Sequence, residues 1–369
     1  MEEIGCTGRR GSAQPDGRLF RRFRKEGMLL ASVLHYLVQS NVPRSVSYYD
    51  SNFGSLSDTV RLNGYSHKEL EQLFGNVCRE AQIRSTPVDV IHHCLDASIQ
   101  GVILPEYSTG AFGVDILDSQ DPDRLKEFSS EAAAYRQHTE QAREILIRAR
   151  SFHDEEEAIY IRHMDFSAAD RLTRETIHNL LAEKKGSGQG REIHRFFGAA
   201  SILGSICYIP ELTESLPRRY FIKGRPGTGK STFLKKIARA AHERGFETEI
   251  YHCSLEPNSL DMIVVRELGF CVFDSTAPHE YFPSRPGDKI IDVYESCVTP
   301  GTDEKYQQEL SRLEAQYKAL VKEATSRLKE ASEDADRFYA KLPPLEDTAQ
   351  ENLTESVLKR LFPVKTENA

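Results

Sequence analysis

The run Gly224-Arg225-Pro226-Gly227-Thr228-Gly229-Lys230-Ser231-Thr232 sets the fold of this chain. Its pattern is glycine, four residues, then Gly-Lys-Ser. Glycines let a backbone curl until several N–H groups face inward as a nest for phosphate oxygens. Lys230 adds a positive charge for the β- and γ-phosphates, and the Ser231 hydroxyl is placed to ligate Mg²⁺. Upstream, Arg219-Tyr220-Phe221-Ile222-Lys223 reads as a strand. Downstream, Phe233, Leu234, Ile237, Ala238 and Ala241 recur at helical spacing, with Lys235, Lys236, Arg239, Glu243 and Arg244 on the other face. Gly245 reads as the stop. A loop in this position also receives the dipole and free N–H groups of the following helix.

Composition narrows the function classes. The chain has 369 residues, room for two ordinary domains, and a net charge of -8, so no global basic field invites nucleic acid. Seven dispersed cysteines without a C-x-x-C pair fit reduced thiols and a cytoplasmic setting. No stretch approaches the roughly 18 apolar residues of a membrane span. Residues 1–27 read as a disordered basic leader, with Arg9, Arg10, Arg18, Arg21, Arg22 and Arg24 and no apolar signal core.

The chain also repeats itself. His35 and His194, Tyr49 and Tyr208, His93 and His252, Cys94 and Cys253, and Asp115 and Asp274 all lie 159 apart. At offset 160, Leu73, Phe74, Val77, Cys78 and Ala81 match the apolar face after the glycine-rich loop, and Gly64 matches Gly224. At that offset Gly229, Lys230 and Ser231 become Glu69, Leu70 and Glu71. The earlier copy lacks the lysine and the hydroxyl and carries two carboxylates that repel phosphate. It is expected to bind no nucleotide.

Leu310, Leu313, Tyr317, Leu320, Ala324 and Leu328 form an apolar stripe in a charged background, a candidate helical arm. Residues 124–163 have similar texture, with Leu125, Phe128, Tyr135, Ala142 and Ile145. The arms are candidate surfaces for a protein partner or a second copy, or for each other. Lys184-Lys185-Gly186-Ser187-Gly188-Gln189-Gly190 reads as a linker. It divides residues 28–190, the degenerate lobe with its helical segment, from residues 191–369, the active lobe with its arm.

Further segments carry a resemblance: Arg219 to Gly224, Tyr251-His252-Cys253, Asn258-Ser259-Leu260-Asp261, Phe273-Asp274-Ser275-Thr276-Ala277-Pro278-His279-Glu280 and Pro300 to Tyr306. Over 191–340 the chain is similar to an uncharacterised bacterial family of tandem-half P-loop ATPases. Over 28–190 the likeness is weak, and the first half departs from the family by lacking its own loop. The resemblance implies an α/β P-loop NTPase fold with a parallel sheet, duplicated as one active and one degenerate lobe, and it implies ATP. It supplies no substrate.

Such a site needs an acidic group at the end of a neighbouring strand to hold Mg²⁺. Phe270-Cys271-Val272-Phe273-Asp274 is four apolar residues and an Asp, a buried strand ending at the crevice, so Asp274 is the candidate. His279 follows in a loop that can face the γ-phosphate, and Asp261 is a second acidic candidate. Lys223 and Arg225 flank the loop. His92, His93, Cys94, His252 and Cys253 lack a zinc ligand set. Three functions fit: an Mg-dependent ATPase acting as a conformational switch, a nucleotide or small-molecule kinase, and a non-hydrolysing nucleotide sensor or scaffold.

Overall fold

The computed structural model describes residues 32–42, 46–118, 129–186, 188–277, 279–343 and 345–364. The basic leader, Leu125 and Phe128 lie outside them. The first half contains β1 (Val33–Tyr36), α1 (Tyr49–Phe53), β2 (Asp58–Tyr65), α2 (His67–Ile83), β3 (Val88–His92), β4 (Ile99–Leu104) and β5 (Thr109–Asp115). Two helices follow, α3 (Ser129–Ile161) and α4 (Phe166–Leu181). The second half opens with β6 (Arg191–Arg195), the hairpin β7 (Gly198–Ser201) and β8 (Gly204–Cys207), and α5 (Ile209–Thr213). It continues with β9 (Arg218–Lys223), α6 (Lys230–His242), β10 (Glu247–His252), β11 (Leu260–Val265), β12 (Phe270–Asp274) and β13 (Asp288–Asp292). It closes with α7 (Val293–Cys297), α8 (Thr302–Tyr339) and α9 (Asp347–Leu361).

The first sheet runs β1-β3-β4-β5-β2, and the second β6-β10-β11-β12-β9-β13. Apart from β13 they match strand for strand in order and direction. β1–β3 and β6–β10 are parallel, β4 and β11 are antiparallel to both neighbours, and β5–β2 and β12–β9 are parallel. The sheets are therefore mixed, which corrects the expected parallel sheet. A parallel connection needs a crossover of about a dozen residues. Only Pro105–Ser108 and Arg266–Gly269 separate these strands, each a 3-10 turn closed by a left-handed residue, Ser108 at φ 54° and Gly269 at φ 65°.

Register also corrects two sequence pairings. His92, not His93, is the counterpart of His252. His35 Nδ1 lies 2.9 Å from His92 Nε2, and His194 Nδ1 lies 2.8 Å from His252 Nε2. Gly113, not Asp115, is the counterpart of Asp274, because Gly113 pairs with Leu62 as Asp274 pairs with Ile222, and Leu62 and Ile222 stand two residues before the matching Gly64 and Gly224. The offset of 159 misses one extra residue between β6 and β9 and a second between β10 and β11.

The two sheets meet around one core. Leu37 and Phe196 exchange backbone hydrogen bonds at 2.9 and 2.8 Å. Tyr208 stacks on the His35–His92 pair and Tyr48 packs on the His194–His252 pair, so each half supplies a ring to the other. Beside them the buried Arg195 guanidinium lies 3.8 Å from the centre of the Tyr36 ring and reaches Asp89 at 3.2 Å and Glu249 at 3.6 Å. Paired opposite charges make that burial tolerable.

The two arms pack on each other. Ala142, Ile145, Leu146 and Ala149 of α3 face Leu320, Ala324 and Leu328 of α8 in buried clusters. From Tyr135 to Ile145 and from Tyr317 to Leu328, the stripes offered by the sequence as a docking surface are thus covered within the chain. Other helices cross the Lys184–Gly190 segment: Leu180 and Leu181 of α4 join the core around α6, while Val357 and Leu361 of α9 join the core of the first sheet. That segment therefore does not separate two independent cores.

Candidate functional site

The loop 224–229 leaves the C-terminal end of β9 and enters α6. Gly227 and Gly229 have φ of 75° and 80°, which glycine adopts without strain. Gly229 is the N-cap of α6, and no side chain caps it. The first backbone N–H groups of this helix are therefore open to an anion. Thr228 Oγ1 donates to Arg225 O at 2.8 Å and ties the loop across its base. Pro226 is half-buried and Thr232 is exposed.

Lys230 is 9% exposed, and its ammonium is held inside the loop. Nζ donates to Arg225 O at 2.8 Å and lies 3.4 Å from Asp274 Oδ2. The parallel pairing of β9 and β12 brings the two residues together, since it places Asp274 beside Ile222. Asp274 Oδ1 also accepts from the N–H and hydroxyl of Thr276, at 3.1 and 2.6 Å. Ser231 Oγ accepts from the Leu260 N–H at 2.9 Å, which fixes the start of β11 against the loop.

Asp261 is the next residue along β11. The antiparallel register Met262↔Phe273 puts it across from Asp274. Burial and the Asp274 charge push its carboxyl up to about 7, while His279 and Lys230 pull it down. His279 packs edge-on against Phe197, with ring centres 4.9 Å apart, and its N–H donates to Thr276 O. Sequence position thus picked out Lys230, Asp274 and His279, and the fold gathers them with Asp261.

The flanking cations are engaged by protein groups. Lys223 Nζ donates to Ser275 O at 2.8 Å and Tyr281 O at 3.0 Å, a brace for the loop after β12. Arg225 Nη2 reaches Asp303 Oδ2 at 2.9 Å and its guanidinium stands over the Tyr294 ring. Tyr160 also donates to Asp303, at 2.8 Å. Against burial, the bonds from Tyr160, Arg225 and Tyr294 hold the Asp303 carboxyl below its ordinary range. Arg266 pairs with Glu249, and Arg285 donates to Thr213 O and Glu214 O.

The arms roof this cleft. A Cβ on Gly227 would come within 2.5 Å of Glu157 O, so the end of α3 touches the loop backbone directly. Burial and the neighbouring Glu314 push the Glu156 carboxyl up to about 7, with Lys230 and Arg225 opposing. Burial and Lys230 lower the pKa of His153 on the preceding turn. Sequence alone did not reveal this acidic roof, because α3 sits about 70 residues before the loop.

The matching place in the first half is closed. Helix α2 begins right after β2, and Ser66 and Glu69 form a capping box: Ser66 Oγ accepts from Glu69 N–H, and Glu69 Oε2 accepts from Ser66 N–H at 2.7 Å. Glu69 satisfies the helix end itself, a more specific role than repelling phosphate. Leu70, at the Lys230 position, is buried against Gly113, whose Cβ would lie 2.3 Å from Leu70 Cδ2. The Lys230–Asp274 ion pair is replaced by a leucine lying on a bare glycine. Asp115, further along β5, instead accepts from Tyr339 at 2.6 Å, near the end of α8.

No family model matches the chain, nor does any curated protein or solved structure. Among the described residues no helix is long and apolar enough to cross a membrane.

Proposed function

We propose that the second half carries the chain's single Mg-dependent ATP site and that the protein is an ATPase acting as a conformational switch. Behind it we infer a duplicated P-loop fold whose first copy is degenerate. The observation that carries this reading is the Lys230–Asp274 pair at an uncapped helix end, set against Leu70 and Gly113 at a capped one. The donor set suits a magnesium nucleotide. The backbone from Gly224 to Thr232 would cradle phosphates, Lys230 would turn from the Arg225 carbonyl to them, and Ser231 and Asp274 would hold the metal. Bound there, the metal would neutralise charge developing on the phosphates.

Switching rests on the roof. Arg225 is held by Asp303, the second residue of α8, and Gly227 by α3. Phosphate arriving in the loop competes for Arg225 and places negative charge near Glu156. Both effects loosen the arms' seat on the loop, and a protein partner would read their movement. Steady-state phosphate release with Mg-ATP, abolished in Lys230→Ala, tests the reading. Binding without release would leave a nucleotide sensor. ADP formation that rises only with an added small-molecule hydroxyl acceptor, with the phosphoryl group carried to that acceptor and no phosphate released, would make the protein a kinase.

A further inference from the structure

Beyond the residues that hold nucleotide and metal, the cleft contains a carboxylate whose position follows the competence of each half. We propose that Asp261 is the catalytic residue that orients the water attacking the terminal phosphate and takes its proton. The proposal rests on the reading of the cleft as an ATP site.

Strand register makes the case. Leu260 opens β11 opposite the bulge at His252, as Ile99 opens β4 opposite the bulge at His92. The counterpart of Asp261 is therefore Gln100, an uncharged side chain one methylene longer, 5% exposed. Lys230, Asp274 and Asp261 meet at one end of the second sheet's central strands. The first sheet has Leu70, Gly113 and Gln100 in those places. A carboxylate serving only to finish a strand has no reason to vanish together with the lysine. Its place across from Asp274 and its loss in the closed half mark it as part of the same chemistry.

Its surroundings suit the role. The Leu260 N–H bond to Ser231 Oγ fixes the β11 backbone beside the loop, so Asp261 is held on a rigid strand rather than on a mobile loop. The Cys253 thiol, His279 and Lys230 lie close enough to act on its carboxylate. Asp274 is already engaged by Lys230 and by both donors of Thr276. In the reaction, a bond forms between the water oxygen and the γ-phosphorus. The bond from that phosphorus to the β,γ-bridging oxygen breaks, leaving its electron pair on ADP, while the proton shed by water passes to Asp261.

The test compares Asp261→Asn with Asp274→Asn in the full chain, reading turnover and the equilibrium binding of a fluorescent ATP analogue with and without Mg²⁺. Asp261→Asn is expected to lower kcat about 100-fold or more, the usual scale for a positioned base. KM and nucleotide affinity should stay within about threefold, since the group acts only in the transition state. Asp274→Asn should instead weaken Mg-dependent binding. Retained nucleotide affinity shows that the Asn variant is folded; if it does not fold, Asp261→Ser is read in the same way. Wild-type turnover in either Asp261 variant overturns this inference alone. So does a loss of metal-dependent binding equal to that of Asp274→Asn, which would make Asp261 a metal holder. A wild type that binds or hydrolyses no ATP refutes the ATPase reading and this role together.

Discussion

Replacing Gly227 by alanine probes the contact on which the proposed switch depends. Gly227 has a φ of 75°, where an L side chain costs about 1–2 kcal/mol. The added Cβ would also stand 2.5 Å from Glu157 O and 2.8 Å from Glu157 Cα. Those atoms belong to the backbone of a 33-residue helix, so no side chain can rotate away. Forcing a methyl into such a contact costs a further amount of about 1–3 kcal/mol. The control is Gly229→Ala. Its φ of 80° imposes the same backbone cost, but its nearest neighbour is Met164 Cε at 3.9 Å. Equilibrium urea unfolding of the two variants should therefore differ by about 1–3 kcal/mol, with Gly227→Ala the weaker, from the steric term alone. Hydrogen exchange over 150–161 should rise in Gly227→Ala and stay at the wild-type level in Gly229→Ala. Equal stability losses with unchanged exchange in α3 would refute the seating of the arm on the loop.

Two other outcomes follow from the buried titratable groups. Glu156→Gln removes a carboxylate that opposes phosphate, and ATP should bind about fivefold more tightly at pH 8, a gain of about 1 kcal/mol for one partly screened charge. Because burial and Glu314 place the Glu156 carboxyl at about 7, wild-type affinity should itself rise as pH falls from 8 to 6. The variant should lack that rise, and titration calorimetry at the two pH values decides. The second outcome concerns acid stability. Burial lowers His252 to about 4 from an ordinary 6.5, so below pH 6.5 the unfolded chain takes up a proton that the folded chain refuses. Stability is full above that pH and falls as pH drops toward 4, by about 3 kcal/mol in total. Urea midpoints at pH 7.5 and 4.5 should show the loss, and His252→Gln should remove that share of it.

Much of this arrangement is written locally. The loop from Gly224 to Ser231 and the apolar faces of α2 and α6 are legible because each depends on residues a turn apart. The likeness of the halves is legible for the same reason. Register is not. One extra residue between β6 and β9 moved the counterpart of His252 from His93 to His92, and a second, between β10 and β11, brought the counterpart of Asp274 from Asp115 to Gly113. Only hydrogen bonding between strands reveals such shifts. Long-range docking is equally hidden. Nothing near Arg225 announces Asp303, and nothing near Gly227 announces Glu157. The apolar stripe of α8 shows that something must cover it, but α3 was one of several candidates. The capping box at Ser66 and Glu69 fits a known short pattern, and reading it would have assigned Glu69 a structural role from sequence.

The most direct test of a single competent site is the stoichiometry of Mg-ATP binding by titration calorimetry on the full chain. One ATP per chain, lost in Lys230→Ala and retained in Leu70→Ala, is the expected result. Two ATP per chain, or one that survives Lys230→Ala, would contradict it.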